Sequence, residues 1–419
     1  MPTFFRCIAI IYLVSAGFLA ALADPPAETN TAVAPASGTA PSAPGDTFWT
    51  QDRITGDFGG LRPQLSKDGL TIGLDFLGQG IDNFAGGIRE GTIAAYLLDL
   101  KVSLAVETSG TLYLDLQDHG GPDPSQNLAG DVQKFSDMNA SPFFRVAELW
   151  YEQTLLNNTW RLKLGKIDAN DEFSIVDNAS LFLNSSAPIS PTIVDFPTYP
   201  VTELGINLFY TPNDWYYASF GAFDNTHGDK LLDFTGADQK DQFPAGGVFL
   251  IGETGLKWTN LGSWQADGNL RVGGWGETGT LKKLNGGDKQ GTAGFYTIVN
   301  QTLWKPDWNA SETRGIRAFL VYAETPGDVS LFDRHFGTGV TWTGLSADRP
   351  NDVIGFGPEY VNLSDRAGLP KPFELAMEAF YQYQVAPWAA VQPDLQYICH
   401  PGGIYSDAVV GTLQIAVHF

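Results

Sequence analysis

Three observations predict an all-β chain closed into a transmembrane antiparallel β-barrel of sixteen strands. Apolar and polar residues alternate at period two in run after run, short connections contrast with long ones, and no interior linker follows residue 48. The clearest pair of runs lies between Pro142 and Phe173. From Phe143 to Glu152, Ala147, Leu149 and Tyr151 share one face while Glu148 and Glu152 share the other. Asn157-Asn158 tolerates the positive φ angles of a tight hairpin. The returning run sets Trp160, Leu162 and Leu164 against Arg161, Lys163 and Gly165. In a soluble sandwich the oily face is core and the charged face meets water; in a membrane barrel the oily face meets lipid and the charged face a lumen.

The remaining elements favour the barrel. A turn at Gly59-Gly60, a short helix over Leu61 to Lys67 and a stop at Gly69 precede the first strand. Strand-rich runs then fall near 70–80, 92–106, 110–118, 143–155, 158–168, 202–211, 214–223, 248–258, 268–278, 293–304, 314–324, 335–346, 352–363, 372–385, 388–399 and 406–419. Their number is even, and most are long enough to cross a bilayer at a tilt. Phe373 to Val385 alternates over thirteen residues, whereas an average soluble strand has about five or six. Links such as Thr211-Pro212-Asn213-Asp214 and Ala386-Pro387 are short, while Gly120 to Ser141 and Ala169 to Val201 are long enough to carry function or fold into the lumen. Trp160, Tyr210, Trp215, Trp258, Trp304, Trp342 and Trp388, near strand ends, are candidates for two interfacial girdles.

At the N-terminus, Arg6, the apolar run from Ile8 to Leu22 and the small-residue ending Ala21-Leu22-Ala23 have the form of a secretory signal peptide over residues 1–23. Cys7 leaves with it, so Cys399 remains alone and no internal disulfide is expected. Residues 24–47, rich in Ala, Pro, Thr, Ser and Gly, form a flexible tail, and 48–419 form the barrel. The last run alternates from Val409 to Phe419, as does the final strand of bacterial outer-membrane proteins, whose terminal aromatic residue is read by the barrel assembly machinery.

Composition narrows the function. The chain has 47 glycines, 13% aromatic residues and a formal net charge of −22, so no basic face is available for nucleic acid or an anionic membrane surface. Mean hydropathy is near zero because only half of each strand is apolar. G-x-S-x-G, P-loop and paired-cysteine motifs are missing, and His119, His227, His335, His400 and His418 show no metal-ligand spacing. An outer-membrane enzyme is thereby the weaker alternative, and no cofactor is expected.

Several stretches resemble the carbohydrate-selective porins of the OprB type. They are Thr55-Gly56-Asp57-Phe58-Gly59-Gly60-Leu61-Arg62, Phe144 to Gln153, Lys163 to Phe173, Asn184-Ser185-Ser186, Tyr199-Pro200, Gln392 to Tyr397 and His400-Pro401-Gly402-Gly403. Cys399 departs from the aliphatic residue common before the last of these segments. The resemblance implies a sixteen-stranded outer-membrane porin through which mono- and small oligosaccharides diffuse into the periplasm, as a monomer or homotrimer. A general, size-selective porin is the closest alternative.

A sugar presents hydroxyl edges and flat C–H faces, so a selective pore needs aromatic rings and polar groups that donate and accept together. Alternation places Arg145 or Glu148, with Trp150, Glu152, Arg161 and Lys163, on the lumen side of the first hairpin. Later strands add Arg271, Trp275, Glu277, Arg317, Glu374, Glu378, Gln382, Asp394 and Gln396. Trp150, Arg161 and Lys163 are the leading candidates because they lie beside the loop after Lys166. In that loop Asp168, Asn170, Asp171 and Glu172 could supply oxygen ligands to a divalent ion. They lack the glycine and ligand ladder of an EF-hand, which favours a hydrogen-bonded cluster that orders the loop.

Overall fold

The computed structural model describes residues 47–106, 109–226, 232–234, 246–261, 264–308 and 312–419. The expected signal peptide, all but the last residue of the tail, and His227 lie outside them. Helix α1 (Leu61–Lys67) leads into sixteen strands: β1 (Leu70–Ala85), β2 (Gly91–Val106), β3 (Gly110–Gly120), β4 (Phe143–Leu155), β5 (Trp160–Ile167), β6 (Glu203–Asn213), β7 (Tyr216–Asp224) and β8 (Val248–Leu261) in the first half. The second half is β9 (Trp264–Lys282), β10 (Asp288–Trp304), β11 (Gly315–Glu324), β12 (Phe332–Thr343), β13 (Val353–Leu363), β14 (Phe373–Ala386), β15 (Ala389–Cys399) and β16 (Ala408–His418). Each strand pairs with its sequence neighbours, and β1 pairs antiparallel with β16 to close the barrel. Closure pairs the two end strands from Asp75 onward, the condition for a sheet to cross lipid.

Alternation sorts the wall. In β14, Tyr381, Tyr383 and Val385 are exposed outward while Glu374, Ala376, Glu378 and Phe380 are buried inward. In β16, Leu413 and Ile415 are exposed while Thr412 and Gln414 are buried. Segment 47–60, the first described, and Phe419 lie at one mouth, which also carries the short turns after β4, β6 and β14. That is the periplasmic mouth by the usual asymmetry of such barrels. The long connections 121–142 and 168–202 leave the opposite mouth and fold into the lumen. There Phe173, Val176 and Phe182 pack with inward Phe209, Phe249, Phe319 and Phe380. A sixteen-stranded barrel is wide enough for an aqueous channel, and these loops narrow it.

Two expectations change. Strict alternation sets Arg145 and Glu148 on opposite faces, yet both are buried inward. The register between β3 and β4 steps from Asp115↔Glu148 to Leu116↔Val146, so Ala147 is an extra residue that resets the phase. The seven strand-end aromatics do not divide between two girdles: Trp160, Tyr210, Trp215, Trp258, Trp304, Trp342 and Trp388 all lie near turns at the periplasmic mouth, Trp388 buried against Phe48 and Ile54. Trp160 and Tyr210 sit 4.5 Å apart there, and Trp304 and Trp342 6.5 Å apart.

Candidate functional site

Inside the barrel, basic side chains of the wall meet acidic side chains of the 168–202 loop. Arg161 Nη1 lies 2.6 Å from Glu152 Oε2, and its Nη2 lies 2.7 Å from Glu172 Oε2. Lys163 pairs with Glu172 and approaches Glu152 to 3.8 Å. The Arg161 guanidinium lies over the Phe209 ring at 3.7 Å, and the Lys163 ammonium over the Trp150 ring at 4.0 Å. Further round the wall, Arg271 Nη2 donates to both Asp177 oxygens at 2.9 and 3.0 Å. Its Nη1 donates to Tyr217 Oη at 3.2 Å and lies 3.5 Å from Glu253 Oε1.

This sequence gives that geometry because β5 carries its cations at alternate positions, Arg161 and Lys163, where they project to one side. Glu172 follows a short turn started by Asp168, whose side chain accepts from Asn170 N–H at 2.8 Å and from Tyr199 N–H at 3.1 Å. Burial acts to raise the Glu172 carboxyl, but the charges of Lys163 and Arg161 hold it at about 2. Burial beside Glu148 and Asp168 pushes Asp171 well above its ordinary value. Asp168 and Glu172 thus order the loop through hydrogen bonds and ion pairs. Among the described residues no cluster of His, Cys, Asp or Glu is arranged to hold a metal ion.

The remaining predicted lining residues divide by what they touch. Glu148 accepts from Asp168 N–H at 3.0 Å and from Trp150 Nε1 at 3.1 Å. Glu374 accepts from the N–H groups of Gln133 at 2.9 Å and Gly402 at 2.6 Å, and Glu378 from those of Leu183 at 2.6 Å and Asn184 at 2.9 Å. Gln396 Nε2 donates to Phe135 carbonyl at 2.7 Å. Arg145 donates to Pro200 carbonyl at 2.7 Å and lies 3.2 Å from Asp233. All five anchor loop backbone to the wall and are nearly inaccessible. Trp275 is buried against Phe249, ring centres 6.0 Å apart. Trp150 is 7% exposed, its ring stacked on Tyr113 at 4.7 Å as well as under Lys163. Of the paired groups, those left most open to the lumen are Arg161 at 23%, Glu152 at 21%, Arg271 at 11% and Asp177 at 38% side-chain exposure; Arg317 on the inward row of β11 and Lys257 on that of β8 are accessible too.

Sequence reasoning missed Asp177, Tyr217 and Glu253. Glu253 alternates inward on β8 beside Phe249 and Ile251, a signal that was available; Asp177 sits in a loop without periodicity. It also missed a buried row in which His335 Nδ1 lies 3.1 Å from Ser190 Oγ and Nε2 lies 2.9 Å from Glu359 Oε2. These are the residue types of a hydrolase triad, yet all three are at most 2% exposed, and they tie the 168–202 loop to β12 and β13.

A closed sixteen-stranded antiparallel barrel, lipid-compatible outside and with loops folded into a charged lumen, is a porin of the outer membrane. The model of the carbohydrate-selective porin, OprB family, matches residues 97–419, and the chain belongs to that family. Among curated proteins, Porin B of Pseudomonas aeruginosa is 22% identical over 87% of this chain and 91% of its own length. The putative porin QuiX of Acinetobacter baylyi is 23% identical over 89% of this chain and 94% of its own length. Among solved structures, Pseudomonas putida OprB at high pH shares the fold with a TM-score of 0.78 at 19% identity, covering 89% of this chain and 100% of that one. The chain is thus an outer-membrane carbohydrate channel.

Proposed function

We propose that permeating mono- and small oligosaccharides are selected where Glu152, Arg161, Arg271 and Asp177 face the lumen, on their way to the periplasm. The observation that carries this is the pairing of Arg161 with Glu152 and Glu172 and of Arg271 with Asp177. Such a wall offers donors and acceptors in fixed geometry yet little net field, which suits a neutral hydroxyl-rich solute better than an ion. Trp150 and Lys163 are positioning residues in this reading. Trp150 supports the ammonium that holds Glu172, and Glu172 in turn holds the guanidinium of Arg161.

The protein performs no catalytic step on this account; it reaches the membrane through export on its N-terminal signal and insertion through the strand ending at Phe419, as a monomer or homotrimer. The selective step is tested by ion current through single channels in a planar bilayer with glucose and maltose added on one side. Sugar-dependent current interruptions that disappear in Arg161→Ala support the assignment. Interruptions unchanged in Arg161→Ala and Arg271→Ala would remove these residues from the sugar path and favour a general, size-selective porin.

A further inference from the structure

The periplasmic mouth has a feature the channel does not use. Segment 47–60 and α1 run along the rim from the β14–β15 turn to the start of β1. Trp388 Nε1 donates to Phe48 carbonyl at 2.8 Å, and Ile54 N–H donates to His418 carbonyl at 2.9 Å. Strand β16 pairs with β1 only from Asp75 onward, and Phe419 N–H donates to Leu74 carbonyl at 2.8 Å, so one edge of residues 70–73 is left to the rim segment. Arg62 covers part of it, donating from Nη1 to Ile72 carbonyl at 3.4 Å and from Nη2 to Thr55 Oγ1 at 2.9 Å. A cleft remains between α1 and this edge, walled by Phe58, Leu61, Leu65 and Ile72 and carrying Arg53 and Arg62.

Both the charge and the shape of the cleft are unusual for this molecule. Acidic residues outnumber basic ones 47 to 25, yet among the described residues no side-chain carboxylate lies within ion-pair distance of Arg62. Arg53 is turned toward the chain end, donating to a Phe419 oxygen at 3.1 Å. Arg62 Nε is buried without a partner, and burial together with the Arg53 charge lowers its affinity for a proton. An anion beside the guanidinium would offset the Arg53 charge. The apolar wall is open: Phe58 is 59%, Leu61 51% and Ile72 41% exposed. Ile72 belongs to the outward row of β1, so the cleft is continuous with the lipid-facing surface. Its height is that of the membrane interface, where aromatic residues and arginines meet headgroups.

We propose that this cleft is a binding site for a phospholipid of the inner leaflet, with Arg62 on the headgroup phosphate and Phe58, Leu61, Leu65 and Ile72 against the start of an acyl chain. An amphiphile is favoured over a free anion because the arginine stands beside open apolar surface that only a chain can cover. Occupancy would fasten the rim segment to β1 and to the bilayer at once.

The test is native mass spectrometry of the folded, delipidated full chain titrated with phosphatidylglycerol, with inorganic phosphate as competitor. One tightly held lipid on the wild type is expected, weakened at least about tenfold by Arg62→Gln and by Phe58→Ala, unchanged by Lys67→Gln, and not displaced by millimolar phosphate. Phe58 is mostly exposed, so its variant keeps the test valid if Arg62→Gln does not fold. Equal binding by the wild type and Phe58→Ala, or displacement by phosphate alone, would overturn the proposal.

Discussion

Replacing Glu378 by Ala should release the 168–202 loop without opening the barrel. The carboxylate accepts Leu183 N–H at 2.6 Å and Asn184 N–H at 2.9 Å, and its side chain is 1% exposed. Each buried donor left without an acceptor costs about 1–3 kcal/mol, so removing both should cost the docked loop about 2–6 kcal/mol. The loop keeps another anchor beside the lost one. Phe182 packs edge-on against Phe319 at 5.4 Å and against Phe380 at 5.1 Å, so the Leu183 region should open transiently rather than detach. The readout is amide hydrogen exchange of Leu183 and Asn184 in the folded protein, which reports local opening. Even the lower bound predicts exchange faster by about 30-fold, with exchange in the strand ladders unaltered. Glu378→Gln keeps one acceptor oxygen and should fall between. Single-channel conductance should rise and become noisier in step with exchange. Unaltered exchange and conductance in Glu378→Ala would refute the view that this carboxylate anchors the loop.

Further outcomes follow from the same geometry. Glu172→Gln should leave Arg161 and Lys163 under-neutralised and shift the channel toward anions, measured as a change in reversal potential under a KCl gradient. The Glu172 carboxyl is held at about 2, below its ordinary 4.5, so its contribution is present above the ordinary value and lost as pH falls through about 2. The Glu172 clasp should therefore persist from pH 7 to pH 4 and loosen only near pH 2, read as the solvent exchange of the Glu172 segment across that range. Arg145→Leu removes one partner of a buried ion pair with Asp233, at a cost of about 3–5 kcal/mol to the docking of Leu232–Phe234 on β4. Protease should then cut beside Asp233 much faster while the barrel stays heat-modifiable on gels.

The strands were legible because burial on one face imposes a period of two, and all sixteen runs fall on observed strands. Their ends were less so. The run expected at 268–278 extends at both ends, to Trp264–Lys282. The phase slip at Ala147 was illegible because a bulge is defined by two residues facing one on a partner strand. Inward charge was also readable, since a carboxylate facing lipid is costly. What each inward residue touches was not. Glu378 and Leu183 are 195 residues apart, and Glu374 and Gln133 are 241 apart, so no local pattern joins them. Arg161 and Glu172 are only 11 apart across a turn, and there the sequence pointed to the right neighbourhood.

The most direct measurement of the account is swelling of liposomes containing the purified, folded protein in isotonic glucose, maltose and maltotriose, against amino acids and small anions of matched size. The account predicts faster entry of the sugars than of size-matched solutes, and loss of that preference in Arg161→Ala with entry still governed by size. Equal entry at equal size in the wild type would contradict a sugar-selective wall, and no swelling from inserted barrels would contradict the open channel itself.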